Sequence, residues 1–297
     1  MSSACPEHLA PLPSLRPTGR FLPKPRRSHS VLRGLGLGLS LLALTAQARE
    51  LRVCADPNNL PFSNQRGEGF ENRIAELIAR DLHAELRYTW WAQRRGFIRN
   101  TLNAGKCDLI TGLPQGMEKV LLTRPYYRSS FVFVTRTSGP RVHSLDDPVL
   151  RERRLGVQLV GEDGENPPPA HALAHRSIIG NVRGYSVYGD YREPNPPAGI
   201  IRAVAAGDID IGLAWGPLAG YFAKRQAVQL RITPISPPQD GRLPMTFAIA
   251  MGVRRDDEPL RREIDAVLQR RKSAIDAILD RYDVPRIEPA LARQEPP

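Results

Sequence analysis

The sequence predicts an α/β chain built as two similar lobes, each an open sheet flanked by helices. Three observations carry this prediction. First, a segment recurs: Thr-Leu-Asn-Ala-Gly-Lys-Cys-Asp-Leu-Ile-Thr-Gly at 101–112 answers Val-Ala-Ala-Gly-Asp-Ile-Asp-Ile-Gly-Leu-Ala at 204–214. Each copy reads as a helix end, an Ala-Gly stop, a spacer, an Asp and a short apolar strand. A glycine directly after a helix suits the left-handed cap position. An apolar run after a helix suits a parallel strand buried on both faces. Second, each copy runs into a tight loop, Leu113-Pro114 or Trp215-Gly216-Pro217. In open α/β sheets ligands bind where the strands stop. Third, the strands Phe131–Arg136 and Phe247–Gly252 bracket the second half, which gives two crossings and a hinge. Ala-Gly-x-x-Asp is an inexpensive pattern, so chance similarity is the competing reading of the repeat.

Bulk composition narrows the class. The chain has 297 residues, 41% apolar and 25% charged, which suits a globular protein with an ample core. Residues 1–48 differ. They carry Arg16, Arg20, Lys24, Arg26, Arg27 and Arg33, then an apolar run from Val31 to Ala46, closed by Ala46-Gln47-Ala48. This reads as a signal peptide cut after Ala48. The run is too short and glycine-rich for a membrane span, although an uncleaved anchor is the alternative. Removing the leader's six bases and one acid from the chain's 42 and 31 leaves 36 and 30, a net charge of +6. No basic stripe interleaves with aromatics, so nucleic acid is not an expected partner. Cleavage also removes Cys5, and an exported chain left with Cys54 and Cys107 is expected to hold one disulfide. Neither cysteine has a neighbouring His or second Cys, so no metal is expected.

Along the remaining chain, Leu51–Ala55 is a strand ending in the turn-rich Asp56-Pro57-Asn58-Asn59-Leu60-Pro61-Phe62-Ser63. Phe70, Ile74, Leu77, Ile78 and Leu82 recur at helical spacing. Leu86, Tyr88 and Trp90 alternate as a second strand, and Cys107 opens a third. If the first and third strands are neighbours, Cys54 and Cys107 meet across them. Leu155–Leu159 starts the second sheet, and Tyr185–Tyr188 is a strand leading to Gly189-Asp190. Pro196-Pro197 introduces a helix over 198–206, 217–224 is a helix, and 228–232 a strand. Residues 257–281 are helical and return to the first lobe. The boundaries expected are a leader over 1–48, lobe 1 over 49–137 plus 240–285, lobe 2 over 138–239, and a loose tail over 286–297.

These residues resemble the periplasmic solute-binding proteins of ABC transporters, in the branch shaped like amino-acid-binding proteins. More narrowly, the chain looks like the quinoprotein-dehydrogenase-associated branch, accessory proteins encoded beside PQQ-dependent methanol or alcohol dehydrogenases. The stretches that carry this are Cys54–Ser63, Arg124–Ser130, Gly184–Tyr191 and Ala214–Tyr221. The resemblance implies the two-lobed type II binding-protein fold with two hinge crossings. It also implies a PQQ-dependent alcohol dehydrogenase as partner, with its c-type cytochrome as a further candidate. PQQ is expected in that partner, and no cofactor in this chain. The alternative function is an ABC-transporter receptor for a small polar metabolite. In one respect the chain departs from amino-acid binders, which grip the substrate carboxylate with an Arg after the third strand. Here that segment is Pro114–Val120, and Lys119 is its nearest candidate, a point charge rather than a bidentate fork.

Ten residues are candidates for the ligand cleft. Asp56, Asn58, Asn59 and Phe62 follow the first strand; turn chemistry explains the first three equally well. Leu113 follows the third strand, and Trp215 follows its counterpart, where plain core is the competing role. Tyr126 and Arg128 lie near the hinge; Tyr188 and Asp190 end a lobe-two strand. Catalysis has little support: His83, His143, His171 and His175 pair with no nucleophile, and Gly-x-Ser-x-Gly is absent. The chain is expected to bind, not to catalyse.

Overall fold

The structure is a computed structural model that describes residues 49–160, 166–188 and 191–287. The expected leader, the tail beyond 287 and Asp190 lie outside the described residues. Nine strands form the frame: β1 (Glu50–Ala55), β2 (Glu85–Trp90), β3 (Leu109–Pro114), β4 (Tyr127–Arg136), β5 (Leu155–Leu159), β6 (Val182–Ser186), β7 (Ile211–Trp215), β8 (Leu230–Pro234) and β9 (Thr246–Val253). The principal helices are α1 (Phe70–Asp81), α2 (Pro168–His175), α3 (Gly199–Ala206), α4 (Gly216–Ala223), α5 (Glu258–Arg270) and α6 (Lys272–Arg281).

The strand order is β2-β1-β3-β9-β4-β7-β5-β6, with β8 also paired to β4. Its two halves mirror each other. In the first, β1 lies between parallel β2 and β3, and antiparallel β9 flanks β3. In the second, β5 lies between parallel β6 and β7, and antiparallel β4 flanks β7. This is the expected two-lobed α/β fold, and the lobes are joined through β4. Tyr127–Ser130 of β4 pair with Ile249–Thr246 of β9, whereas Phe131–Arg136 pair with β7 and β8. The change of partner at Ser130/Phe131 falls earlier than the expected boundary at 137. On the return, Ile235, Leu243 and Met245 pack with Phe131, Phe133 and Leu155, and Asp240 is ion-paired to Arg176 of the second lobe. That side of the connection therefore joins near Thr246 rather than at residue 240.

The repeat has a physical basis that its apolar strands alone do not reveal. Asp108, just before β3, accepts from the backbone N–H of Arg52 at 3.1 Å, from its Nε at 2.9 Å and from its Nη2 at 2.6 Å. Asp210, just before β7, accepts from the backbone N–H of Arg154 at 3.0 Å, its Nε at 3.1 Å and its Nη2 at 2.9 Å. The two pairs have the same sequence separation, 56 residues. Each Asp thus pins the start of one strand to the start of its parallel neighbour through a bidentate fork. Burial opposes ionisation of Asp108, yet the hydrogen bonds from Arg52 and Arg254 hold its carboxyl below the ordinary range. The fork from Arg154 does the same for Asp210.

Local choices follow from packing. Helix α1 buries Phe70, Ile74, Ala75, Ile78 and Ala79, each side chain of Leu or Ile size contributing about 1.5–3 kcal/mol when fully buried. Gly69 precedes α1 because a Cβ there would collide with the carbonyl of Phe62. Asn72 supports the same turn, its Oδ1 accepting from the N–H groups of Gly69 and Asn64, both at 3.1 Å. Strand β6 starts three residues before the Tyr185–Tyr188 run expected from alternation, because the register Leu155↔Val182 to Leu159↔Ser186 sets its limits. The 257–281 helix breaks at Arg271 into α5 and α6. Among the described residues no helix is long and apolar enough to cross a membrane.

Cys54 of β1 and Cys107 before β3 are joined as a disulfide, with Cα atoms 5.5 Å apart. Phe97, Leu102, Ile110, Leu113 and Val120 enclose it. The bond closes a 53-residue separation. Replacing both cysteines by serine is expected to lower the unfolding free energy by about 2–5 kcal/mol. Urea unfolding measures this, and an unchanged midpoint contradicts a structural role for the bond.

Candidate functional site

A cleft opens between the lobes where β1, β3 and β7 stop. It consists of two adjoining cavities of about 360 and 560 Å³. Asn59, Phe62, Gln93, Phe131, Pro167 and Trp215 line both. Volumes of this order suit small-molecule sites.

The smaller cavity carries a cluster of polar groups at the mouth and is partly closed by protein. Asp56 is only 3% exposed. Its carboxylate accepts from the N–H of Asn58 at 2.8 Å, from the N–H of Gln93 at 2.7 Å, and from the hydroxyl of Tyr191 in the opposite lobe. The Asn58 side-chain amide donates to the carbonyl of Glu193 at 2.9 Å, and its oxygen accepts from the N–H of Asn195 at 3.4 Å. Asn59 donates to Gln93 Oε1 at 3.3 Å. Arg94 lies 4.9 Å from the Tyr191 ring centroid and 6.0 Å from that of Tyr188. Burial first, and then the hydrogen bond to Asp56, raise the Tyr191 phenol well above its ordinary range. Polar groups that follow the first strand therefore latch the two lobes together, a role between the two that their sequence allowed.

The larger cavity is aromatic, with one acid on its wall. Phe131, Trp215 and Phe247 meet edge to face, their centroids 5.2, 5.9 and 6.2 Å apart. The backbone N–H of Trp215 donates to Gln158 Oε1 at 3.0 Å, which fixes the strand end carrying the indole. Glu71, at the start of α1, lies against β3, where a Cβ on Gly112 would collide with its Oε1. Its Oε2 accepts from the Thr111 hydroxyl at 2.7 Å. Desolvation by the surrounding apolar wall pushes the Glu71 carboxyl up to about 7; the Thr111 bond opposes this, and the charge of Asp56 adds to it. Among the described residues lining the two cavities, Asp56 and Glu71 are the carboxylic acids and none is Lys or Arg.

Of the ten candidates, Asp56, Asn58, Asn59, Phe62, Tyr188 and Trp215 line the cleft. Leu113 does not: it is 4% exposed and packs beside Cys54, Phe97 and Leu102. Strand alternation turns its neighbours Gly112 and Pro114 to the cavity instead. Tyr126 also faces away, donating its hydroxyl to the Thr111 carbonyl at 2.9 Å, while Tyr127 takes the cavity wall. Arg128 is exposed outside both linings, its carbonyl accepting from the N–H of Ile287 at 3.0 Å. Lys119, the nearest sequence candidate for a carboxylate grip, lies in a separate surface depression with Arg254 and Arg255. Sequence reasoning missed Glu71, Gln93, Phe131, Gln158, Tyr191 and Phe247. Glu71 was hidden as an ordinary first-turn acid of a helix, and only the glycine opposite it hinted at close approach. No group of His, Cys, Asp or Glu among the described residues could hold a metal ion.

Two outcomes follow from this geometry. A carboxyl raised by folding favours the folded state fully below its ordinary value, and that contribution is lost as pH rises through about 7. Between pH 5 and 8 the protein is therefore expected to lose on the order of 2 kcal/mol more stability than its Glu71→Gln variant, read from urea midpoints. Equal losses contradict the assignment. Tyr191→Phe removes the hydroxyl that crosses the cleft and leaves Asp56 one donor short. Hydrogen exchange over 191–197 is expected to speed up, with stability lowered by about 1–3 kcal/mol. Unchanged protection there rules out the latch.

Comparison with known proteins places this geometry. Residues 51–284 match the bacterial extracellular solute-binding proteins, family 3. The chain is 34% identical over 259 residues to Protein MoxJ of Methylorubrum extorquens, covering 82% of this chain and 83% of that one. It is similar to the crystal structure of periplasmic binding protein XoxJ from Methylobacterium extorquens, with a TM-score of 0.66 and 37% identity over 80% of this chain and 100% of that chain. The crystal structure of MxaJ from Methlophaga aminisulfidivorans shares the fold at a TM-score of 0.68 and 24% identity, over 80% of this chain and 100% of that chain. The two mirrored half-sheets, the cleft at their strand ends and a match spanning nearly every described residue agree: the chain belongs to the bacterial extracellular solute-binding proteins of family 3.

Proposed function

We propose that the protein acts in the periplasm as a non-catalytic accessory of a PQQ-dependent alcohol dehydrogenase of the methanol-oxidising type. It aids that enzyme's activation, maturation or docking, with the enzyme's c-type cytochrome as a further partner. The observation that supports this reading most is where the family-like stretches fall. Cys54–Ser63 supplies a disulfide cysteine and the Asp56 side of the latch. Gly184–Tyr191 brings Tyr188 and Tyr191 to the mouth, and Ala214–Tyr221 brings Trp215 to the aromatic wall. Three of the four segments that resemble the quinoprotein-associated branch thus contribute to the closure or wall of the cleft, and the fourth, Arg124–Ser130, leads into the strand that joins the lobes and supplies Tyr127. The likeness to MoxJ and XoxJ over about four-fifths of the chain points the same way. So does a cleft lining whose described residues include no base to grip an amino-acid carboxylate.

One observation favours the second reading, a solute receptor of a transporter: a cavity of about 560 Å³ suits a small ligand. The decisive experiment is affinity capture from periplasm at low salt, with the tagged protein as bait. A quinoprotein dehydrogenase is expected among the captured proteins, and binding of the purified pair is expected to be saturable. Capture of no quinoprotein, together with saturable thermal stabilisation by a metabolite, overturns the accessory reading in favour of the receptor.

A further inference from the structure

The aromatic cavity has features that the accessory reading does not use. Its wall includes Phe62, Tyr127, Phe131, Trp215, Phe247 and Ile249, beside the amides of Asn59, Gln93 and Asn166, and its one carboxyl among the described residues is Glu71. The other acid of the cleft, Asp56, is already engaged by three donors. Glu71 accepts only the Thr111 hydroxyl among the described residues, on Oε2. Its carboxyl therefore keeps the capacity to accept from a ligand. The charged and titratable groups facing it are Asp56 from the loop after β1, Tyr88 from β2, Tyr126 just before β4 and Tyr127 from β4, all acidic or phenolic. Arg94, the cation set over the mouth tyrosines, is engaged with Tyr191 and Tyr188.

A carboxylate beside aromatic faces, in a cavity with no basic residue on its described lining, recognises positive charge. The ring faces attract a cation through their quadrupoles, and the carboxylate accepts its N–H donors. The same lining disfavours a carboxylate, which would meet Glu71 on the wall, Asp56 in the adjoining cavity and no base. We propose that the aromatic cavity is a binding site for small organic ammonium ions that have an apolar body and lack a carboxylate. Glu71 is the counter-ion, Phe131, Trp215 and Phe247 form the aromatic wall, and Tyr127 and Ile249 hold the apolar body. This inference stands apart from the dehydrogenase reading, and either can fail alone.

Binding of an ammonium ion needs Glu71 ionised, whereas the empty cavity favours its neutral form up to about pH 7. The site therefore releases a proton when it fills at acidic pH. Its affinity is expected to rise close to tenfold per pH unit from about pH 5 and to level off above about pH 7.

Isothermal titration of the protein with phenethylammonium chloride, 2-phenylethanol and phenylalanine tests this. The three share one apolar body and differ in charge. The ammonium ion is expected to bind saturably and at least about tenfold more tightly than the alcohol and the amino acid at pH 8. Glu71→Gln is expected to lose that preference, binding the ammonium ion no more tightly than the alcohol. The ligand contrast and the pH profile need no variant, so the test survives if Glu71→Gln folds poorly. Absence of saturable ammonium binding, tighter binding of phenylalanine, or an affinity that is flat between pH 5 and 8 each overturns the proposal.

Discussion

Ten residues of one strand, Tyr127–Arg136, hold this molecule together. Their first part continues the sheet of lobe one through Thr246–Ile249, and their second part opens the sheet of lobe two through β7 and β8. The strand meets its partners on both sides of one shared backbone, so the lobes are not two bodies on a slack tether. Phe131, the first residue after the change of partner, sends its ring into the cleft against Trp215 and Phe247. Hinge and binding wall are thereby the same few residues. A change in lobe angle must move the aromatic contacts that a ligand or partner would touch.

The two halves of the cleft solve opposite problems. At the mouth, polar groups from facing lobes satisfy each other: Asp56 takes the Tyr191 hydroxyl, and Asn58 bonds the backbone of Glu193 and Asn195. Buried polar atoms are costly when left without partners, and here the protein itself supplies them. Deeper in, aromatic rings leave a space that the chain does not fill, and burial of one acid there weakens its tendency to ionise. Contacts between the lobes therefore concentrate at the mouth, and the open space lies in the interior. A binder that relies on its ligand to close would need the reverse division of labour.

Much of this was legible in the sequence because the signals were local. The Ala-Gly stops at 104–105 and 206–207, the apolar strand runs and the helical period of Phe70, Ile74 and Ile78 each act within one element. The disulfide was legible because only two cysteines follow residue 48. The site was legible where it sits directly on strand ends, as for Asp56, Asn58 and Trp215. Leu113 and Tyr126 were misplaced by one residue each, since a strand sends neighbouring side chains to opposite faces and the face is set by distant partners. Glu71 and Tyr191 were not legible at all. Their roles arise from Gly112 and from Asp56, contacts across 41 and 135 residues that no local pattern encodes.

One feature of the hinge reaches beyond the cleft. The chain after α6 runs back across β4: Ser129 donates its hydroxyl to the Pro285 carbonyl at 2.6 Å, and the Ile287 N–H donates to the Arg128 carbonyl at 3.0 Å. Asp283 and Pro285 press on Gly220 of α4, where any side chain would collide with the Asp283 carbonyl. Tyr282 stacks on Tyr221 of the same helix at 5.7 Å. This strap ties the last helix of one lobe to a helix of the other. A fusion protein or affinity handle spliced directly after residue 287 would start beside the pivot.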